Sequence, residues 1–79
     1  MSQWKPCKRR DFIRCLKIIG FKGPYSGAKH QFMVYGQHRL AIPSYTEYSA
    51  PQIGMMIKEI ETIIKQPVSV EYWEHLKSA

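Results

Sequence analysis

The stretch GFKGPYSGAKHQFMVYGQHRLAIPS, residues 20–44, contains the features that decide the fold. Apolar, β-branched and aromatic side chains are concentrated in residues 29–35 and again in residues 39–42, with Gly36 and Gln37 between the two runs. Two such runs that are separated by a short turn containing glycine are typical of a β-hairpin. The sequence therefore predicts two antiparallel strands in this part of the chain.

The residues that flank the hairpin extend it into a larger sheet. Pro43 has no backbone N–H to donate to a strand ladder, so the second strand of the hairpin ends before it. Residues 21–24 supply at most a short strand, and residues 25–27 form the turn that leads into the hairpin. We expect a three-stranded antiparallel meander.

The length of the hairpin loop decides which side chains share a face of this sheet, because a shift of one residue moves every side chain to the opposite face. With a two-residue loop, Met33 lies opposite Leu40, and His30 and Arg39 are partners on the open face. With a three-residue loop, the core face instead takes Phe32, Val34, Leu40 and Ile42. We favour the two-residue loop because hairpin loops of this length are the commonest.

Two helices are predicted before and after the sheet. Residues 8–20 place apolar side chains at helical spacing, and Gly20 is suited to end that helix. Ser49 and Gln52 match a capping box, which starts a second helix. Its apolar stripe, which we expect to face the core, consists of Ile53, Met56, Ile57, Ile60, Ile63 and Ile64.

A short third helix is predicted over residues 70–77. Pro67 breaks the second helix, Ser69 can cap the third, and Val68 with Trp73 stands at the positions of a hydrophobic staple. The aromatic residues of this helix cover one end of the core or, alternatively, form a docking surface for another chain. With 79 residues, the chain is expected to form one α+β domain.

The charge of the chain is strongly positive and unevenly distributed. Lys and Arg number 12 against 6 for Asp and Glu, and residues 1–45 carry nine basic and one acidic side chain, whereas residues 46–79 carry three and five. A surface with this excess is expected to meet a polyanion, for which RNA, DNA and an anionic membrane surface are candidates. The alternative is a basic face that only solvent contacts.

Three of these cations begin the first predicted helix. Lys8, Arg9 and Arg10 lie near its positive end, where each exposed cation costs up to about 1 kcal/mol. Stability alone does not explain their position, whereas contact with a phosphate explains it. The alternative is that solvent screens them and that they keep the protein in solution.

Several classes of site and of location are excluded or disfavoured. No apolar run approaches the roughly 18 residues of a membrane span, and the amino terminus lacks the apolar core of a signal peptide, so a cytoplasmic protein is expected. Cys7 and Cys15 are expected to be free thiols, since on one helix they would lie about 12 Å apart. The chain has no metal-ligand pair at zinc-binding spacing and no glycine-rich nucleotide loop.

His30 is the strongest candidate for chemistry. Histidine is the side chain that titrates near neutrality, and His30 follows a turn glycine and adjoins Lys29. Such a group among cations is sufficient in principle for RNA cleavage, in which a base takes the proton of the 2′-hydroxyl and cations offset the charge that develops on the phosphate. The alternative is that His30 begins a strand and hydrogen-bonds a neighbouring carbonyl. His38 is a weaker candidate, and His75 is expected at the surface.

The stretch from Lys8 to Ile64 resembles the HicA family of toxins from toxin–antitoxin systems. The resemblance depends on the order of three features: a helix that ends at Gly20-Phe21, a turn with glycine and histidine at residues 27–30, and a hairpin that ends at Ile42-Pro43 before a second helix. The usual family pattern is Gly-Ser/Thr-His, whereas here two residues, Ala28 and Lys29, separate the glycine from the histidine.

The resemblance implies a fold, an activity and a partner. The fold is similar to a double-stranded-RNA-binding domain, α-β-β-β-α, with its core in residues 8–65 and an additional helix in residues 68–77. The activity is metal-independent cleavage of mRNA with no cofactor, His30 as the general acid or base, Gly27 as the turn glycine, and neutralisation by a HicB-type antitoxin. The residues expected to bind RNA are Lys8, Arg9, Arg10, Lys22, Gly27, Lys29 and Arg39.

Two other functions are compatible with the same residues. A non-catalytic RNA-binding module would use the same basic surface, and His30 would then only contact the RNA backbone. A structural or adaptor protein would dock another chain through the aromatic residues near Trp73. Cleavage products distinguish the first alternative from a nuclease, because the two bind RNA alike.

Overall fold

A computed structural model describes residues 3–79 as an α+β fold, which confirms the fold class expected from the sequence. Within these residues the chain forms three helices and two antiparallel sheets. The elements are, in chain order, β1 (Cys7–Lys8), α1 (Arg9–Ile19), β2 (Lys22–Tyr25), β3 (Gln31–Tyr35), β4 (His38–Ile42), β5 (Glu47–Tyr48), α2 (Ala50–Ile64) and α3 (Val70–Ser78).

The central hairpin has the favoured two-residue loop. Met33 pairs with Leu40 and Gln31 with Ile42 across β3 and β4, as the two-residue loop predicted. Gly36, in the turn, has a φ of 61°, which a residue with a Cβ adopts only at a cost. The register sends the fully buried Met33, Leu40 and Ile42 to one face, which we call the core face.

Strand β2 carries an irregularity that the sequence did not reveal. It pairs with β3 at Lys22 with Val34 and at Tyr25 with Phe32, so that β2 contains one residue more than β3 between the two pairs. Strand β2 also continues to Tyr25, which had been predicted as part of the turn, and β3 begins only at Gln31 rather than at residue 29. The connection between them is therefore residues 26–30.

A second sheet of two short strands joins distant parts of the chain. Cys7 of β1 pairs with Tyr48 of β5, and Lys8 pairs with Glu47. The polar and aromatic residues 44–48 have the composition of a loop, but Glu47 and Tyr48 form a strand. This ladder holds the segment before α1 against the segment before α2.

The core is one cluster to which all three helices and the core face of the sheet contribute. Phe12 and Leu16 of α1, Ile57 of α2 and Trp73 of α3 are at most 1% exposed. The ring of Phe12 lies 5.3 Å from that of Trp73, centroid to centroid. Trp73 is thus a core residue, as expected for a helix that covers one end of the core, and it is not exposed for docking.

The helix ends follow the predicted capping chemistry. Ser49 and Gln52 form the capping box of α2, and the hydroxyl of Ser69 accepts a hydrogen bond from the backbone N–H of Tyr72 at the start of α3. Helix α1 ends at Gly20, whose N–H donates to the carbonyl of Leu16 at 3.0 Å. These local contacts define where each helix begins or ends.

Arg14 on α1 forms hydrogen bonds to the carboxyl-terminal end of α3. The guanidinium of Arg14 donates hydrogen bonds to the carbonyl oxygens of Leu76, Lys77 and Ala79 at 3.3, 2.9 and 2.8 Å. These carbonyls lie at the carboxyl-terminal end of α3, where the last carbonyls of a helix have no partner in a following turn. Arg14 also lies 3.5 Å from the carboxylate of Asp11 on the same helix.

The two cysteines are free thiols, as predicted, and both are buried; Cys7 lies in β1 and not on the helix that carries Cys15. Burial raises the pKa of Cys15 to about 11 and also raises the pKa of Cys7. Among residues 3–79, no helix is both long and apolar enough to cross a membrane.

Candidate functional site

An open cleft of about 880 Å³ lies where the start of α1, the beginning of β3 and the segment between β4 and β5 meet. Its lining residues are Lys8, Arg9, Arg10, Lys29, His30, Gln31, Ile42, Ser44, Tyr45, Thr46 and Glu47. Four are Lys or Arg, and among the described residues that line it Glu47 is the only acid. Five of the residues proposed from the sequence, Lys8, Arg9, Arg10, Lys29 and His30, are thus brought together.

One wall of the cleft is the amino-terminal end of α1. Lys8 is the residue that precedes the helix, and its side chain makes no capping hydrogen bond. The backbone N–H of Arg9 donates to the carbonyl of Thr46 at 2.9 Å, which fixes the helix end against the opposite wall. The first turn of an α-helix presents N–H groups without intrahelical acceptors and the positive end of the helix dipole, which favours an anion. This wall is therefore suited to a phosphate.

Arg9 differs from its neighbours because its guanidinium is already engaged. Its Nε donates to the carbonyl of Pro43 at 3.2 Å, and one Nη donates to the amide oxygen of Gln31. Arg9 also lies close enough to Tyr48 to lower the pKa of that phenol, although burial has the larger effect and raises it. Arg9 therefore joins the start of α1 to the beginning of β3 and to the residue that follows β4.

His30 and Lys29 form the edge of the cleft opposite α1. Both side chains are exposed, and both lie in the loop before β3 rather than within a strand. Within residues 3–79, the imidazole of His30 makes no hydrogen bond to a neighbouring carbonyl, so the structural role considered from the sequence is not observed. An exposed imidazole beside an open cleft is accessible to a substrate.

Gly27 contributes to the site by its lack of a side chain. A Cβ at this position would overlap the carbonyl oxygen of His30 and would lie 3.3 Å from Cδ1 of Phe32. Its φ lies outside the left-handed region, so the requirement is space and not an unusual backbone conformation. Gly27 thus permits the close turn that presents His30, and it is not itself a wall of the cleft.

Lys22 and Arg39 do not line the cleft, and the expected partnership of His30 with Arg39 is not observed. Arg39 lies over the ring of Phe32, with its Cζ 4.6 Å from the ring centroid. Lys22 and Arg39 are both paired with Val34 in the sheet, on opposite sides of it. Their side chains lie on the face of the sheet away from the core, because Val34 lies between Met33 and Tyr35 on β3.

The sequence did not single out the wall formed by residues 44–47. Tyr45, Thr46 and Glu47 reach the cleft because β5 pairs with β1, and a two-residue strand has no periodic pattern that marks it. The other two histidines lie elsewhere: His38 is at the far end of the hairpin, about 14 Å along β4 from Ile42, and His75 is on α3.

The cleft combines groups for two tasks. The cations and the start of α1 can hold a phosphate, and His30 can accept or donate a proton beside it. Residues 3–79 contain no group of three or more His, Cys, Asp or Glu side chains that could hold a metal ion. Comparisons with protein-family models, with curated proteins and with solved structures give no match.

Proposed function

We propose that this chain is a HicA-like endoribonuclease that binds mRNA in the cationic cleft and uses His30 as its general acid or base. The order helix, three antiparallel strands, helix over α1 to α2 is compatible with the double-stranded-RNA-binding-domain-like arrangement that this resemblance implies. The proposal depends above all on one observation, the exposed His30 in an open cleft with Lys8, Arg9, Arg10 and Lys29.

The charge of the cleft favours a phosphodiester over a neutral substrate. A negative ligand would offset four cations and would occupy the positive end of α1, where Lys8, Arg9 and Arg10 are otherwise unfavourable. Glu47, opposite Lys8 in the small sheet, compensates only part of this charge. The cleft is open and lies along the surface, as a site for a polymer requires.

Cleavage by this site would proceed by attack of the ribose on its own phosphate. His30 takes the proton of the 2′-hydroxyl, and the 2′-oxygen forms a bond to phosphorus while the bond to the 5′-oxygen breaks. The leaving oxygen takes a proton from solvent, and the products are a 2′,3′-cyclic phosphate and a 5′-hydroxyl. Arg10 and Lys29 offset the charge that accumulates on the phosphate oxygens in the transition state.

The second candidate is a non-catalytic RNA-binding module that uses the same cleft. It is favoured by a specific observation: within residues 3–79 no carboxylate contacts the imidazole of His30, whereas catalytic histidines are commonly oriented by such a partner. In this case Lys29, Arg10 and the start of α1 bind the RNA backbone and His30 adds one contact. Both candidates bind RNA in the cleft, but only the nuclease yields cleavage products.

A HicB-type antitoxin is the proposed protein partner. A protein that blocks this cleft would present acidic or aromatic side chains to it, because the walls carry cations and little opposing charge. A stable complex would bury on the order of 1,200 to 2,000 Å² in total. We expect its footprint to include His30 and the start of α1 and thereby to exclude RNA.

The test of the proposed function compares His30→Ala with His38→Ala in the purified protein. Both side chains are exposed, but only His30 lines the cleft. We expect His30→Ala to lower the rate of RNA cleavage by about 10²- to 10⁴-fold, the usual contribution of a general acid or base. His38→Ala should cleave like wild type, and circular dichroism should show that both variants are folded.

Salt dependence tests the binding step separately. The logarithm of the affinity for single-stranded RNA should fall with the logarithm of salt concentration, with a slope that Lys29→Ala reduces by about 0.7. Lys58→Ala, an exposed lysine on α2 away from the cleft, should leave the slope unchanged. If wild type binds RNA in this way but never yields a cyclic phosphate, the non-catalytic module is correct. If RNA does not bind, both candidates fail.

A further inference from the structure

The face of the three-stranded sheet that points away from the core combines aromatic and cationic side chains. We call it the outer sheet face, and it consists of Lys22, Tyr25, Phe32, Val34, Arg39 and Ala41. None of these side chains belongs to the buried core, and Tyr25 is 46% exposed. The cleft does not include this surface, so its composition calls for its own explanation.

The irregularity in β2 is what brings Tyr25 to this face. Lys22 and Tyr25 are three residues apart, and in a regular strand they would point to opposite faces. The extra residue in β2 restores the alternation, so that Lys22 lies opposite Val34 and Tyr25 lies opposite Phe32. An exposed aromatic ring is thereby added to the face that already carries Phe32 and Arg39.

Three side chains at the centre of the outer sheet face lie next to one another across the strands: Tyr25 on β2, Phe32 on β3 and Arg39 on β4. The ring centroids of Tyr25 and Phe32 are 5.7 Å apart, with an angle of 41° between the rings. The guanidinium of Arg39 lies over the same Phe32 ring. Phe32 is thus held between them, while Tyr25 is open to solvent and Arg39 is exposed. Tyrosine rings and arginine planes are the groups on which proteins stack unpaired bases.

The charge of this face selects a negative ligand. Residues 12–46 contain no Asp or Glu, so strands β2, β3 and β4 carry no carboxylate at all. The carboxylates of an acidic peptide would satisfy Lys22 and Arg39 but would leave the exposed ring of Tyr25 without a stacking partner. A single strand of RNA supplies both a phosphate for the cations and a base for the ring.

The outer sheet face is also continuous with the cleft through one turn. A Cβ on Gly27 would meet both the carbonyl oxygen of His30 and, at 3.3 Å, Cδ1 of Phe32, so the backbone of His30 and the ring of Phe32 lie next to each other at this turn. His30 lines the cleft and Phe32 follows it by two residues, so about 7 Å of chain separates the cleft from the aromatic side chains of the outer sheet face.

We infer that the outer sheet face stacks an unpaired base of the same single-stranded RNA whose backbone lies in the cleft, with Tyr25 as the stacking ring. This inference rests on the proposed function, which places the RNA backbone in the cleft beside His30. It adds a substrate class: RNA that is unpaired next to the contacted phosphate. Paired RNA has no free base face to offer, so the site discriminates against a duplex.

The experiment measures the binding of a fluorescein-labelled 2′-O-methyl decauridine, which lacks the 2′-hydroxyl and cannot be cleaved by the proposed route. Tyr25→Ala and Tyr25→Leu should weaken its binding by about 5- to 150-fold, the range found when a stacking ring is removed. Tyr25→Phe should bind like wild type. Tyr72→Ala is the matched control, because Tyr72 on α3 is 45% exposed and lies outside the sheet.

A second strand with abasic residues separates stacking from charge. It should bind wild type and Tyr25→Leu equally, since no base is present to stack. Equal binding of the decauridine by wild type, Tyr25→Ala and Tyr25→Leu would overturn the inference. So would a loss of binding that is the same for both strands.

The two proposals fail in different ways. If Tyr25 variants lose stacking while His30→Ala changes neither cleavage nor its products, the proposed catalytic role fails and the stacking face stands. If His30→Ala abolishes cleavage while Tyr25 variants bind both strands like wild type, the catalytic role stands and the stacking face fails.

Discussion

Replacing Gly27 by alanine should disable the candidate site without unfolding the protein. The added Cβ would overlap the carbonyl oxygen of His30, and it would press on the ring of Phe32 at 3.3 Å. A backbone oxygen cannot rotate away as a side chain does, so the turn of residues 26–30 must open by several tenths of an ångström. His30 moves with it.

The expected effects of Gly27→Ala follow from two opposing contributions to the stability of the protein and from one effect on the rate of cleavage. Overpacking costs about 1 to 3 kcal/mol, and the loss of glycine's freedom in the unfolded chain returns about 0.4 to 1 kcal/mol. The turn is exposed and can relax, so we expect a net loss near 1 kcal/mol. Since a displacement of 1 Å in a site can cost about 10²-fold in rate, cleavage should fall by roughly 10- to 100-fold.

Gly36→Ala is the matched control for Gly27→Ala. Gly36 has a φ of 61°, and nothing lies within 4 Å of the Cβ that alanine would add. Alanine with this left-handed backbone costs about 1 to 2 kcal/mol, which is similar to the loss of stability expected for Gly27→Ala. Position 36, however, lies at the end of the hairpin that is far from the cleft. It should lose stability and keep full cleavage activity.

The assay combines urea unfolding, cleavage of single-stranded RNA and the NMR resonances of the His30 ring. The ring resonances give a readout that does not require activity: they should shift in Gly27→Ala and stay in place in Gly36→Ala. If folded Gly27→Ala keeps the His30 resonances and cleaves within about threefold of wild type, the close turn does not position His30 and the reasoning is refuted.

Two further predictions concern the core. Arg14→Ala should lower the free energy of unfolding by about 1 to 2 kcal/mol, because it removes three hydrogen bonds to the carboxyl-terminal end of α3 at a partly exposed position. Lys17→Ala on the same helix is the control and should change the free energy of unfolding little. Equal urea midpoints for the two variants would contradict the role of Arg14. For Cys15, whose pKa rises from 9.0 to about 11 on folding because of burial, the unfolded chain loses its proton first as pH increases. The free energy of unfolding should therefore fall between about pH 9 and pH 11, and Tyr48 should add to the fall at the upper end because burial raises its pKa too. Urea unfolding under reducing conditions measures this decrease, which should be smaller in Cys15→Ala. A decrease of the same size in Cys15→Ala would refute the role of Cys15.

Local signals in the sequence were sufficient for much of the fold. The capping box of Ser49 and Gln52, the cap at Ser69 and the two-residue turn at Gly36 all act between residues a few positions apart. Such contacts are encoded by neighbours in the chain, so they can be read without knowledge of the tertiary structure. The hairpin register followed from the turn in the same way.

The missed features depend on partners that are distant in the sequence. The pairing of Cys7 with Tyr48 involves two strands of two residues each, which are too short to show alternation. The extra residue in β2 is defined only by the partners of Lys22 and Tyr25 on β3. Because the first pairing builds a wall of the cleft and the second sets the outer sheet face, the site was less predictable than the fold.

The six cations expected to bind RNA illustrate the same distinction. Charge counting identified the basic half of the chain, and Lys8, Arg9, Arg10 and Lys29 do line the cleft. It did not distinguish them from Arg39, whose guanidinium stacks on Phe32 on another face. Net charge predicts the class of ligand, whereas strand pairing decides which of the cations lies beside the histidine.

The bond between Arg9 and the carbonyl of Pro43, which joins residues 34 positions apart, has a consequence for synthesis of the chain. The cleft takes its walls from the start of α1, from the loop before β3 and from the segment that ends in β5. A ribosome-bound chain that has emerged only as far as β3 carries most of the basic residues and His30, but it has no opposite wall on which to arrange them. The cleft is complete only when β5 has left the ribosome and paired with β1, so a chain that has emerged only as far as β3 holds His30 and its neighbouring cations without the wall that faces them.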